Sequence, residues 1–203
     1  DTVLYGWQGG MEGGRATVDV LTGAVNPSGR LTDTIAEKIE DYPSNDHFGD
    51  RDVNLYTEDI YVGYRYFETF APERVLYPFG YGLSYTTFAV TTKDVEMEMG
   101  DDTLVTVTVS VKNTGKVAGR EVVEVYLGAP QGKLGKPEKV LAAFGKTGLI
   151  APGKTEKMQL SFLLEDFASF DDSGVSGHKN AYVLEGGQYL IYVGTDAHSA
   201  EAE

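Results

Sequence analysis

Cysteine is absent from the 203 residues, which removes disulfides, thiolate metal sites and cysteine nucleophiles together. No stretch approaches the ~18 consecutive apolar residues of a membrane-crossing helix. Basic residues are scarce: 17 Lys and Arg stand against 31 Asp and Glu, a net charge of −14. A surface of that sign repels phosphate backbones and anionic lipid headgroups, so neither nucleic acid nor a membrane is expected as a partner. Neutral sugars are not penalised by it. His47, His178 and His198 are isolated, with no second histidine or cysteine at i+2, i+3 or i+4. A metal centre needs such a cluster, so no metal and no other cofactor is expected. The chain begins Asp1-Thr2-Val3, without an initiator Met or a basic leader, and is expected to be a piece of a longer soluble polypeptide. Whether that polypeptide is cytoplasmic or secreted is left open.

What is present points to strands and turns. Hydrophobic residues make up 41% and charged residues 24%, as in ordinary globular proteins, while 25 glycines and 13 tyrosines favour tight turns and half-buried strand positions. From residue 87 onward the pattern is clear. Val105, Val107, Val109 and Val111 alternate with Thr106, Thr108 and Ser110, the period of a strand with one buried face. Met158, Leu160, Phe162 and Leu164 repeat it, as do Tyr189, Ile191 and Val193, and Val123, Val125 and Leu127 with Glu124 pointing the other way. Strands are expected at about 88–99, 103–113, 120–128, 138–149, 154–164, 166–171 and 182–185 joined to 188–194, with turns at Asn113-Thr114-Gly115, Ala151-Pro152-Gly153 and Glu185-Gly186-Gly187. Seven or eight strands at this spacing describe an immunoglobulin-like β-sandwich. With no disulfide and no strand-C tryptophan, the fibronectin type III kind is favoured.

Residues 1–86 read differently. A short strand is predicted from Val3 to Trp7, and a helix over residues 12–22 with Gly23 in the C′ position. Asn26-Pro27-Ser28-Gly29 predicts a turn, followed by an extended segment at 31–35. Residues 37–54 show no period and predict a long surface loop. Residues 60–67 regain strand character, and Tyr77-Pro78-Phe79-Gly80-Tyr81-Gly82 predicts an aromatic-rich turn. The expected organisation is a partial α/β segment over 1–86 followed by a mainly β sandwich domain over 87–203.

Three blocks carry a family resemblance. Residues 7–31, WQGGMEGGRATVDVLTGAVNPSGRL, resemble the end of the second, α/β sandwich domain of family 3 glycoside hydrolases of the β-glucosidase type. Residues 61–67 (YVGYRYF) and 78–88 (PFGYGLSYTTF) resemble the same family in the same order, and the remainder resembles its fibronectin type III-like domain, including FASFD at 167–171 and the closing strand at 187–194. Met11 and Tyr182 depart from the usual residues and are read as packing variation. The resemblance implies retaining hydrolysis of β-linked sugars by two carboxyl groups about 5.5 Å apart. The family's nucleophile belongs to a barrel domain, and its acid/base precedes the block at Trp7, so neither is carried over: no catalytic residue is assigned and the substrate-binding residues are unknown. The expected partners are the rest of the parent enzyme, its barrel and the remainder of its α/β domain, with a β-linked glucoside or oligosaccharide as substrate of the whole. Residues 194–200 resemble members in which the barrel follows the sandwich.

Other candidates have plain alternatives. Glu58-Asp59 and Asp171-Asp172 are neighbours on extended chain whose side chains diverge, and read as turn or surface carboxylates. The glycines from Gly9 to Gly14 lack the Lys-Ser/Thr ending of a phosphate cradle and read as close backbone packing. Tyr61, Tyr64, Tyr66, Phe67, Tyr77, Phe79, Tyr81 and Tyr85 suit stacking on sugars or packing between domains, the latter favoured, with Arg65 paired to an acid across that seam. The loop at 41–54 is the candidate to approach the mouth of the parent's active site. Competing readings are a bracing, non-catalytic portion of a β-glucosidase and an independent carbohydrate-binding or adhesive sandwich. Residues 7–31 discriminate, since a self-contained module has no use for part of another domain.

Overall fold

The computed structural model describes residues 2–203. The elements run α1 (Gly13–Leu21), β1 (Ile35–Ala36), α2 (Tyr64–Phe70), β2 (Val75–Tyr77), β3 (Phe88–Met99), β4 (Thr103–Asn113), β5 (Val122–Gly128), β6 (Val140–Lys146), β7 (Thr155–Leu163), β8 (Ser169–Asp171), β9 (Ala181–Val183), β10 (Leu190–Gly194) and β11 (Glu201–Ala202). Two antiparallel sheets, ordered β3-β4-β7 and β11-β10-β5-β6, form a sandwich of the fibronectin type III-like kind. Small β1-β2 and β8-β9 pairs lie outside it.

The valine alternation does what its period predicts. Val105, Val107, Val109 and Val111 on β4 face Val123, Val125 and Leu127 on β5 and Val193 on β10, with Leu160 and Phe162 of β7 closing the same core. The β4 register against β7 runs from Leu104↔Leu163 to Lys112↔Thr155 without interruption, so each inward valine keeps its face. Asn113, fully buried at the end of β4, fills its hydrogen-bonding capacity. Its Oδ1 accepts from Thr86 Oγ1 (2.7 Å) and the Gly115 amide (3.0 Å), and its Nδ2 donates to the Val117 and Ile150 carbonyls (2.8 Å each). One side chain thereby fastens the incoming chain at Thr86 to the isolated Gly119↔Ile150 bridge.

The first third departs from expectation at three places. Residues 3–7 form no strand: a strand needs a neighbour for its amides and carbonyls, and none lies beside them among the described residues. Asn26-Pro27-Ser28-Gly29 forms no turn. The chain reverses earlier, at residues 22–25, and Asn26 instead donates to the Ala118 carbonyl (3.0 Å) and accepts from Ser84 Oγ (3.0 Å) and the Tyr85 amide (2.8 Å). Long-range hydrogen bonds thus override the local turn tendency. Residues 60–67 are no strand either. Gly63, at φ 59° and ψ −129°, halts extended chain, and α2 follows, with Phe67 wholly buried against Ala36 and Ala71 and with Tyr66 and Phe70 stacked one turn apart at 5.7 Å. The alternating pattern hid a 3.6-residue pattern that runs on to Ala71. Helix α1 stands as predicted, with Gly23 at φ 76° just beyond it, yet it buries no residue.

Core packing predicts a specific contrast. Val109→Ala removes two carbons from a fully buried site and should cost about 2 kcal/mol, whereas Ser110→Ala, one residue on and facing outward, should fall within ~0.5 kcal/mol of the parent. Urea midpoints at constant m-value read both.

Candidate functional site

Strand β5 is buried at every position. Its odd-numbered residues enter the sandwich core, and its even-numbered residues meet a second layer made by α2, the 78–82 turn and residues 196–200. Tyr126, with no exposed surface, sits among Tyr64, Phe79, Ala197, Ala200, Leu141 and Tyr192. Tyr64 packs against Phe79 at 4.9 Å and edge-on to Tyr126 at 5.8 Å, while its hydroxyl accepts from the Leu141 amide at 2.8 Å. Tyr64 and Phe79 therefore pack the first third of the chain onto the sandwich, whereas Tyr66 and Phe67 pack with Ala36, Tyr42 and Ala71 on the far side of the aromatic block. Its exposed members are Tyr77 and Tyr85, and the Tyr85 hydroxyl still donates to the Val20 carbonyl at 2.7 Å.

The same seam holds buried charge. Arg30 pairs with Glu121 across it, both side chains 9% exposed, and Glu121 also accepts from the Val122 amide at 2.8 Å. Lys139 donates to the Ala197 carbonyl (2.8 Å), lies 3.5 Å from Glu68 on α2, and sits over the Tyr192 ring at 4.9 Å. His198 Nδ1 lies 3.3 Å from the other oxygen of Glu68. Arg65, the predicted cation of the seam, joins no ion pair among the described residues; Arg30 and Lys139 fill that role. Glu124, predicted to point away from the core, does so into this layer and is buried, its carboxyl accepting from the Tyr126 hydroxyl at 2.5 Å. Burial pushes Glu124 up to about 7, with Asp196 and Glu121 adding to the rise, while the Tyr126 bond and Arg30 oppose it. Burial and the neighbouring Glu124 also hold Tyr126 well above the usual phenol range, so it remains a donor.

Glu121, Glu124 and Asp196 are thus gathered, but around packed chain and no cleft. Gly80, at φ 87°, lies against the Glu124 carboxylate and the Asp196 backbone so closely that a Cβ there would collide with both. Glu58 and Asp59 stand on a turn, and Asp171 is buried as a loop organiser. It accepts from Ser173 and Ser176 hydroxyls and the Gly174 and Ser176 amides, with the Ser176 hydroxyl foremost in holding its carboxyl far below the usual range. Gly9 packs on the backbone of Gly13, where an added Cβ would come to 2.7 Å. No cluster of three or more metal-binding side chains occurs among the described residues. The 41–54 loop follows one short 3-10 turn at 39–41, carries a second at 45–47 and, with Leu55, forms a shallow hollow of about 230 Å³ lined by Ser44, His47, Phe48, Asp50 and Asn54.

A contrasting surface lies on the first 25 residues. Val3 (81% exposed), Tyr5 and Trp7 (61% each), Met11, Val18 and Leu21 are all open to solvent, the two rings stacked edge-on at 4.7 Å. Such a run of large apolar side chains, exposed together, marks an interaction surface.

Comparison with known proteins accounts for that arrangement. Residues 1–85 match the glycosyl hydrolase family 3 C-terminal domain, and residues 121–197 match the fibronectin type III-like domain. The chain belongs to glycoside hydrolase family 3. It is 51% identical over 201 residues to a β-glucosidase of Ruminococcus albus, covering 99% of this chain and 21% of that protein. Its identity to β-glucosidase A of Butyrivibrio fibrisolvens is 49%, over 96% of this chain and 25% of the relative. Among solved structures, a β-glucosidase from Paenibacillus barengoltzii superposes with a TM-score of 0.94 at 53% identity, covering 97% of this chain and 22% of that one. The family 3 chain thus spans about a fifth to a quarter of these relatives, and its polar seam joins the two matched domains: Arg30, Glu68 and Gly80 come from one, Glu121, Glu124, Tyr126 and Asp196 from the other.

The seam's ion pair makes a further prediction. Arg30→Met strands Glu121 without its cation and should cost on the order of 3 kcal/mol, whereas Arg30→Met combined with Glu121→Leu should regain most of that loss. A urea unfolding series on the single and double variants reads the difference.

Proposed function

We propose that this chain is a non-catalytic portion of a retaining β-glucosidase-type hydrolase, completing its α/β domain with residues 1–86 and bracing it with the sandwich of residues 87–203. The observation that carries this reading is the contrast between a seam closed on the sandwich side and a solvent-exposed apolar row from Val3 to Leu21 on the other. The occupant of that row is the remainder of the α/β domain, a reading supported by the length of the relatives named β-glucosidase, which are four to five times longer than this chain. The substrate of the assembled enzyme is a β-linked glucoside or oligosaccharide, and both catalytic carboxyl groups come from outside residues 1–203. The 41–54 loop, polar and carrying an exposed Phe48, borders the mouth of that enzyme's active site. No part of the reading calls on a cofactor, nucleic acid or a membrane.

Complementation tests it. The chain is mixed with the complementary portion of the Ruminococcus albus enzyme, and hydrolysis of an aryl β-glucoside is followed. Neither part alone should turn over, and the mixture should. Trp7→Ala, at an exposed site, should leave the urea midpoint unchanged and raise the concentration needed for half-maximal recovery about tenfold or more. Hydrolysis by the chain alone would overturn the reading. Retention on an insoluble β-glucan, or cellobiose binding tighter than millimolar, would favour a carbohydrate-binding module instead.

A further inference from the structure

Among the described residues two acids of the seam, Asp196 and Glu124, pair with no cation, and of the two only Glu124 is buried. Each group facing it is identifiable. From β5 itself comes Tyr126, which donates to it, and from the residue just before β5 comes Glu121; from the segment leading to β1 comes Arg30, already paired with Glu121. From beyond β10 comes Asp196, whose two oxygens accept from the His198 and Ser199 amides and the Ser199 hydroxyl. On β6 the cross-strand partner of Glu124 is the apolar Phe144, and Lys146 stands opposite Val122. Past Tyr126 lie Tyr64 and then the Lys139, Glu68 and His198 group, whose charges engage one another.

Two backbone segments close directly over this carboxyl. Gly80 rests against it, with its amide bonded to the Leu31 carbonyl (2.8 Å), and Tyr81 returns a bond from the Leu31 amide (2.9 Å). Ala197 donates its amide to the Phe79 carbonyl at 2.9 Å, tying the 196–200 hook to the same turn. Ionising Glu124 places a second negative charge beside Asp196 in a site with one neutral donor and no free cation. The nearest way to hydrate that charge is to lift Gly80 and the hook away.

We propose that Glu124 is a proton-operated latch on the seam: neutral, it lets the 78–82 turn and the 196–200 hook close over β5, and ionised, it loosens both. Because folding raises the Glu124 pKa from 4.5 to about 7, the native state holds the proton more tightly than the unfolded chain. Its contribution to stability is therefore fully present below about pH 4.5, falls as pH rises towards 7, and is lost above it. The seam is then tighter in mildly acidic than in alkaline solution, and the sandwich core, which Glu124 does not touch, is indifferent.

Hydrogen exchange of the chain at pH 5.5 and 8.5, corrected for intrinsic rates, tests this. The amides of Leu31, Gly80 and Ala197 should lose about tenfold protection at the higher pH, while those of Val107 and Val109 should not. Glu124→Gln keeps the shape and the acceptor for Tyr126 and should abolish the pH difference at the three seam amides. A 13C-carboxyl titration of labelled glutamate should find one group moving near pH 7 in the parent and none there in the variant. Equal protection at both pH values, or a pH difference that survives in Glu124→Gln, would overturn the latch; in the second case His198→Gln would identify the Glu68 pair as the titrating unit.

Discussion

The structure depends on β5 being buried on both faces. An antiparallel sandwich ordinarily leaves the outer face of each sheet in water. Here Val123, Val125 and Leu127 enter the core between the sheets, while Glu124 and Tyr126 are covered from outside by α2, the 78–82 turn and residues 196–200. A strand with no wet face cannot form stably until its second cover is in place. The sandwich and the segment before it therefore share a layer, even though the proposed domain division at residue 86 separates them along the chain.

That shared layer is polar where an apolar one would have served for burial alone. Arg30–Glu121 and Lys139–Glu68 bring charge under cover, and the desolvation of each ion offsets much of its attraction. What the pairs add is registration: a guanidinium and a carboxylate meet in one alignment, whereas two apolar surfaces slide with little change in energy. Asn26 and Asn113 act in the same sense with neutral groups, each reaching chain far away in sequence through at least two of its side-chain hydrogen bonds. The angle between the two matched domains is thus held by directional contacts, which suits a part whose work is to keep other parts in position.

How far this was legible beforehand follows from what each element depends on. Strands β3 and β4 were readable to the residue, because Val105, Val107, Val109 and Val111 bury one face and the period states it directly. The family was readable from three ordered blocks. Helix α2 was not, since Ile60, Val62, Tyr64 and Tyr66 satisfy a period of two, and only the long-range burial of Phe67 beside Ala36 decides for the helix. Nor was the fate of Asn26, whose neighbours Pro27 and Gly29 advertise a turn while its partners lie near residues 84 and 118. Glu124 was recognisable as facing away from the core; that its other side is a second interior, where the burial of an acid shifts its titration, depends on chain that packs there from Gly80 upstream and Asp196 downstream. The periodic signal reports which face is buried against the sandwich and is silent on a layer added from elsewhere.

The two ends of the segment before the sandwich obey opposite rules. Around Tyr64, Phe79 and Tyr126 every large ring is covered, and the polar atoms of the seam are met by partners. Around Val3, Tyr5, Trp7 and Leu21 the rings and branched chains are open, and α1 has a full helical backbone but buries none of its residues. Nine residues of helix gain little stability by themselves in water, so α1 is the element that the proposed remainder of the α/β domain would cover. A self-sufficient sugar-binding sandwich would have no reason to carry such a helix. A brace between an α/β domain and a sandwich has every reason, because the closed seam transmits position and the open row receives the load.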